Sequence, residues 1–264
     1  MTNFNTILFT VENGVATLIL NRPEKLNSFN ALMHQEVRNC MKTVEQDPGI
    51  RCLLISGSGR GFCAGQDLGD RDISPDSEMP DLGESIENNY NPLLRRIKSL
   101  EKPVICAVNG VAAGAGANIA LACDVVLAAR SASFIQSFSK IGLVPDSGGT
   151  WSLPRLVGHA RAMALSMLGD KLSAQQAADW GMIWQCLDDE QLLPEAKKLA
   201  AHLATQPTKG LGYIKRAIHA STGNSLDEQL NLERDLQRLA GRTRDYREGV
   251  NAFMNKRKPE FTGE

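Results

Sequence analysis

Short apolar runs broken by glycine-rich stretches dominate the first half of this chain and leave it few architectures. Val15–Leu20 and residues 52–56, 103–108 and 124–128 are rich in Val, Ile, Leu, Ala and Cys. Apolar runs of about four to eight residues read as buried strands, although a short run can also belong to a helix. Between the first two, Leu32, Val37, Met41 and Val44 recur at helical spacing across residues 30–45. Strand, helix and strand in that order require a crossover and therefore parallel pairing, which places the chain in the α/β class.

After Thr150 the pattern becomes helical almost throughout. Ser173 and Gln176 stand in capping-box positions before Ala177. Leu226, Leu230, Leu236 and Leu239 fall broadly on one side of a helix over Leu226–Ala240, and residues 245–256 form a last helix closed by Pro259. Residues 69–89 differ: they are acidic, carry Pro75, Pro80 and Gly83, and read as a long loop running into a helix. Such a loop is either functional or a solvated insertion, and the composition fits both.

Charge excludes one class of partner. Lys and Arg number 29 against 30 Asp and Glu, with no basic stripe, so nucleic acid is not expected. The six cysteines (Cys40, Cys52, Cys63, Cys106, Cys123 and Cys186) form no C-x-x-C pair and read as reduced thiols, mostly in apolar surroundings. No His or Cys pair has metal-ligand spacing, so no metal is expected. Residues 1–11 are partly polar and carry no Lys or Arg where a secretion signal needs a basic start, and no apolar stretch is long enough for a membrane span. A cytoplasmic protein is the simplest expectation.

Three glycine-rich segments, 57–67, 109–118 and 145–150, follow apolar runs, where α/β sheets place their ligands. Neither of the first two is a dinucleotide fingerprint: G-x-G-x-x-G breaks at Phe62 and at Ile119, and no phosphate-loop motif occurs. Serine-hydrolase chemistry has no G-x-S-x-G, and His34, His159, His202 and His219 all read as surface residues. Small residues do let a ligand approach bare backbone N–H groups. At 112–117, running into a helix, such donors would sit at the helix's positive end and could form an oxyanion hole. Tight packing of that helix on the sheet explains the same residues equally well.

The ordered motifs reach further. Leu20, Asn21, Arg22 and Pro23 with Asn27 come first, then residues 61–68, then Lys102 and Pro103 with Asn109 to Gly116. Cys123 with Asp124, the Pro145 to Thr150 region, Arg155 with Leu156, and Tyr246 to Gly249 with Phe253 and Lys256 to Pro259 follow. Together they resemble the crotonase (enoyl-CoA hydratase/isomerase) superfamily over residues 7–261. The resemblance implies an α/β fold built as a spiral of repeated ββα units over 1–200, carrying a coenzyme A site. It also implies a C-terminal helical region, 201–264, used in trimerisation, and hence a homotrimer or homohexamer.

The resemblance further assigns residues. The backbone N–H groups of Gln66 and Ala115 stand at the oxyanion-hole positions, with Ala115 where the family commonly has glycine. Arg22, Lys25, Leu26, Ala64, Asp67 and Leu68 resemble coenzyme A-binding positions, and Gly114, Asn118 and Phe138 are expected at the acyl site. Phe253 and Lys256 resemble residues that reach the coenzyme from a neighbouring subunit. Asn118 and Phe138 stand where hydratases carry two glutamates, and neither can exchange a proton usefully. Asp146 stands where isomerases carry an aspartate, with Phe138, Val144 and Trp151 as apolar neighbours expected to desolvate it. The implied enzyme is an acyl-CoA isomerase whose only coenzyme is carried by its substrate. A non-catalytic acyl-CoA-binding protein and a general 3-enoyl-CoA to 2-enoyl-CoA isomerase remain the alternatives.

Overall fold

The computed structural model describes residues 4–70 and 81–264. Its strands are β1 (Ile7–Glu12), β2 (Val15–Leu20), β3 (Cys52–Gly57), β4 (Gly61–Cys63), β5 (Val104–Val108), β6 (Val111–Ala113), β7 (Val125–Ala129), β8 (Ser133–Ile135), β9 (Lys171–Ser173) and β10 (Gln185–Leu187). One sheet has six strands in the order β1-β2-β3-β5-β7-β10, and a second has four, β4-β6-β8-β9. β1 runs antiparallel to β2 and β9 antiparallel to β8; the other pairs are parallel.

The order of strands makes the chain a spiral. Each of β3, β5 and β7 lies in the large sheet, and after a two- or three-residue corner the chain enters the small sheet as β4, β6 or β8. A helical segment then carries it to the next turn, as the ββα repeat expected from the resemblance requires. β3 and β5 are buried along almost their whole length, which is why they are written as unbroken apolar runs. β1 escapes that pattern because most of it is exposed. Its signal is instead the Asn13-Gly14 pair, both at positive φ (51° and 79°), which closes a hairpin onto β2.

The helix Ala31–Gln46 starts at Asn30, whose side chain accepts the Met33 N–H, and buries Met33, Val37, Cys40, Met41 and Val44. The helix Ala115–Ala122 is buried at all eight positions. That is possible because its residues are small: a Cβ on Gly116 would overlap the Cys63 carbonyl of β4 and stand 2.7 Å from the Cys63 Cβ. Helix Asp189–Ala204 lays Leu192, Ala196, Ala200 and Ala204 on the large sheet. Residue 200, where the sequence suggests a division, lies inside this helix, and the chain leaves the sheet only after Ala204.

Three helices complete the C-terminal region: Thr208–Ser221, Leu226–Ala240 and Arg244–Met254. The second has a full capping box formed by Ser225 and Glu228. Ser173 caps its own helix through the Gln176 N–H. All six cysteines are free, and five are buried. No helix among the described residues is long and apolar enough to cross a membrane.

Two glycine substitutions test the packing. Gly116→Ala should destabilise the fold by about 1–3 kcal/mol, because the obstacle is backbone that cannot rotate away. Gly223→Ala, whose added methyl meets only the Ala220 carbonyl at 4.0 Å, should stay within about 0.5 kcal/mol. Denaturant unfolding of the two variants beside the parent measures both.

Candidate active site

β4, β6 and β8 lie side by side and parallel, so their C-terminal ends open together at one edge of the small sheet. The chain leaving β4 is Ala64, Gly65 and Gln66; leaving β6 it is Gly114 and Ala115; leaving β8 it reaches Ser137 and Phe138. These residues, with Asp146, line a cavity of about 330 Å³. Three glycine or polar corners far apart in sequence thus meet because the spiral repeats.

The two donors are aimed by glycine. Gly65 has φ 91° and Gly114 φ 52° with ψ −128°, conformations that L side chains rarely adopt, and each immediately precedes a donor. Phe29 donates to the Gly65 carbonyl (2.7 Å) and Asp67 donates to the Phe29 carbonyl (2.8 Å), so the intervening Gln66 N–H points to the opposite side. Ala115 is the first residue of its helix, where N–H groups have no intrahelical acceptor. A Cβ on Gly65 would come within 3.3 Å of the Ala115 nitrogen, which brings the two corners into contact. Two N–H groups with no acceptor among the described residues lie beside one cavity, one on a helix N-terminus, and can donate together to a carbonyl oxygen that gains charge.

Asp146 enters from a third direction. It is half-buried on the cavity wall. Its Oδ1 accepts from the Ser147 hydroxyl at 2.9 Å, and its carbonyl accepts from Gly149 N–H (2.8 Å) and Asn118 Nδ2 (2.7 Å). Asn118 Oδ1 in turn accepts from Gln136 Nε2 at 2.8 Å. Asn118, expected at the acyl site, is almost fully buried and is not part of the cavity wall; its side chain ties the Asp146 loop to β8. Of the expected apolar neighbours, Phe138 and Val144 share the wall with Asp146. Trp151 does not: it turns to another groove, with the Arg155 guanidinium 4.3 Å over its ring.

The remaining expected residues divide into groups. Ala64, Leu68, Gly114 and Phe138 line the cavity. Arg22 and Asp67 are spent on each other through a 2.9 Å ion pair, with Arg22 also donating to the Ser28 carbonyl at 2.7 Å. Burial works against the charged form of Asp67, yet hydrogen bonds from Arg22 and Gly69 and the nearby charges of Arg22 and Lys25 hold its carboxyl below the usual range. The Leu26 carbonyl accepts from the Ala64 N–H at 2.9 Å, and Lys25 is exposed. Phe253 (83% exposed) and Lys256 are not on the wall of this chain's cavity.

Sequence reasoning missed Leu82, Ile86 and Tyr90. They fall at four-residue spacing on a helical stretch, Leu82–Ser85 continuing through a π turn, Ile86–Tyr90, and all three line the cavity. Leu82 and Ile86 fall within the stretch 69–89 and Tyr90 just after it, so the spacing could have been read across its end; residues 71–80 of that stretch lie outside the described residues. His34 is a correction: it is buried, not on the surface, and packs between Phe29 (4.8 Å) and Tyr90 (4.6 Å, edge-on). A larger groove of about 510 Å³, bordered by Lys98, Asp124, Trp151, Ile214 and Ile218, holds neither glycine corner. Among the described residues no His, Cys, Asp and Glu side chains gather into a group that could hold a metal ion.

An enoyl-CoA hydratase/isomerase family model matches residues 10–264. The chain belongs to the enoyl-CoA hydratase/isomerase family. Among its relatives, the 1,2-epoxyphenylacetyl-CoA isomerase of Escherichia coli K12 is 65% identical over 257 residues, covering 97% of this chain and 98% of that one. A protein described as "Probable enoyl-CoA hydratase" from Rhodobacter capsulatus is 45% identical over 261 residues, covering 99% of each. The crystal structure of an enoyl-CoA hydratase/isomerase from Cupriavidus metallidurans CH34 superposes with a TM-score of 0.92 at 30% identity, covering 100% of this chain and 98% of that one. Both family activities pass through an acyl-CoA thioester, the ligand class that the paired donors suit.

His34 supplies a pH test. Burial first, then the Arg38 charge, push its pKa down from 6.5 to about 4, against an opposing contribution from the nearby Gln66 side chain. Between those values the unfolded chain binds a proton that the folded chain does not, so stability is full above pH 6.5 and falls as pH drops toward 4. The loss attributable to this residue should be about 3 kcal/mol at most. Unfolding followed from pH 7 to pH 4.5 should show a steeper loss for the parent than for His34→Gln.

Proposed function

We propose that this protein is an acyl-CoA isomerase that converts ring-1,2-epoxyphenylacetyl-CoA to oxepin-CoA and moves a 3,4 double bond to the 2,3 position in dehydroadipyl-CoA. The 65% identity to the Escherichia coli isomerase over nearly the whole chain carries the substrate reading. The observation that carries the reaction class is a carboxylate, Asp146, the one such group among the described residues on the wall of a cavity that also holds the Gln66 and Ala115 donors. The two positions where hydratases of the family carry glutamates hold Asn118 and Phe138, so no second group is there to activate water.

The proposed chemistry needs one base and one electron sink. The thioester carbonyl oxygen sits between the Gln66 and Ala115 N–H groups. Asp146 takes a proton from the carbon beside the carbonyl, or from its vinylogous position, and the negative charge moves onto the oxygen that the donors hold. Each such donor contributes on the order of 3 kcal/mol to the transition state. The same carboxyl then returns the proton to a different carbon of the conjugated system. For the epoxide, the C–C bond shared by the three- and six-membered rings breaks and its electron pair passes into the diene, so that both C–O bonds are kept in the seven-membered oxepin and the proton shift moves the remaining double bonds; no atom is gained or lost. Phe138, Leu143 and Val144 give the wall an apolar character that suits a ring and excludes water from the enolate.

The homotrimer or homohexamer that the family resemblance implies is supported by exposed apolar surface. Tyr246, Val250, Phe253 and Met254 project from the helix Arg244–Met254, and Leu226, Leu230 and Leu239 from the helix before it. Covering such apolar faces favours the homotrimer or homohexamer, in which Phe253 and Lys256 reach the coenzyme of a neighbouring site. Free cysteines and the absence of a disulfide suit a cytoplasmic setting.

The test is Asp146→Asn. This variant should still bind acyl-CoA but lose turnover by about 10²–10⁴-fold, together with solvent deuterium exchange at the α- or γ-carbon followed by NMR. Normal turnover or exchange in the variant overturns the proposal. Turnover on the aromatic epoxide thioester, compared with a straight-chain 3-enoyl-CoA, decides between the ring substrate and general fatty-acyl isomerisation.

A further inference from the structure

The main chain of Gln66 is held by Phe29, but its side chain has a partner of its own. Tyr90 Oη donates to Gln66 Oε1 at 2.9 Å. Tyr90 is 2% exposed, and its ring lies 6.0 Å from Phe29 and 4.6 Å, edge-on, from His34. His34 also stacks at 4.8 Å on Phe29, and Phe29 is the residue whose N–H and carbonyl bracket Gln66. The contacts close a circuit: Phe29 backbone to Gly65 and Asp67 on either side of Gln66, Gln66 side chain to Tyr90 hydroxyl, Tyr90 ring back to Phe29 directly and through His34.

We infer that Tyr90 is a positioning residue for catalysis: its hydroxyl fixes the Gln66 side chain and thereby the direction of the first oxyanion-hole N–H. The inference rests on the reading of Gln66 as a donor to the thioester oxygen. Gly65 precedes Gln66 at φ 91°, so the peptide carrying this donor follows the most permissive kind of backbone. A donor that must not swing needs a second anchor beyond its own residue, and the Gln66 amide supplies it. The bond is part-buried, where a neutral hydrogen bond is stronger than in open water.

Tyr90 also joins this anchor to substrate fit. Leu82, Ile86 and Tyr90 form a stripe at four-residue spacing along one wall of the cavity. The side chain that holds Gln66 therefore terminates the surface against which the acyl group packs. An acyl group that fills this wall presses on the residue that aims the donor, so substrate shape and carbonyl polarisation are linked through one side chain.

The experiment reads the carbonyl itself. Phenylacetyl-CoA labelled with 13C at the thioester carbonyl is bound to the parent enzyme and to Tyr90→Phe, and the carbonyl stretch is recorded by difference infrared spectroscopy. In the parent the stretch should move to lower frequency than in free thioester, as two donors polarise the bond; in Tyr90→Phe a clear part of that shift should be lost. Turnover of a 3-enoyl-CoA should fall about tenfold in kcat with little change in KM, less than the 10²–10³-fold expected when a donor is removed outright. Gln66→Met, which keeps the main-chain donor and removes the acceptor, should match Tyr90→Phe, and the double variant should be no worse than either. An unchanged carbonyl shift and kcat in Tyr90→Phe, or additive losses in the double variant, overturn the inference. A parent enzyme whose bound thioester shows no shift overturns the donor reading and the inference with it.

Discussion

Everything at the site depends on how closely two stretches of backbone approach each other. The helix Ala115–Ala122 lies against β4 with Gly116 over the Cys63 carbonyl, a spacing that no side chain at 116 allows. A chain that packs backbone against backbone brings its N–H groups within reach of one another, and Gly65 and Ala115 meet at that contact. The contact serves stability and chemistry at once. It fills the space between the layers without a void, and it leaves two donors at a cavity edge without a protein acceptor. The packing seam and the proposed oxyanion hole, which compete as explanations of the small residues in the sequence, draw on the same backbone contact.

The spiral explains why the site is assembled from such distant residues. Each turn delivers the end of a short strand to the same edge, so Gln66, Ala115 and Phe138 come together without any long loop. Asp146 arrives one step later and is steadied from below. Asn118 and Gln136 pass a hydrogen bond from β8 to the Asp146 carbonyl, fixing the loop while its carboxyl remains at the cavity. Asn118 stands where a hydratase has a glutamate, and a buried neutral amide there serves as a strut where a charge would have to be desolvated.

The far end of the chain is tied down by a comparable economy of polar groups. Arg51 donates to the carbonyls of Gln206 and Phe261 and to the Thr208 hydroxyl, and the buried Asp245 carboxylate accepts the N–H groups of Thr262 and Gly263. Glu248 grips Arg257 with both oxygens and accepts the Glu260 N–H; the Arg257 bond first, then the Glu260 N–H, bring its carboxyl down to about 2. The tail thus closes back on the core, and the helix Arg244–Met254 keeps its apolar residues outward.

The sequence by itself determined four of the six strands of the large sheet, the glycine corners and the candidate aspartate, Asp146. β3, β5 and β7 were legible because strands buried along most of their length are written as apolar runs, and β2 because its apolar residues recur although only alternate ones are buried; Asn118, Phe138 and Asp146 were singled out by position, through the family resemblance. The three-residue strands β4, β6 and β8 were not, since so short a stretch shows no period. Nor were the burial of His34, the turning away of Trp151, or the bond from Tyr90 to Gln66. Each depends on which residue stands opposite, and Tyr90 is separated from Gln66 by 24 positions and from His34 by more. Local pattern records how a residue meets its own helix or strand. Only the tertiary structure decides what lies across the gap, because burial and hydrogen bonding there are properties of pairs brought together by the turns of the spiral.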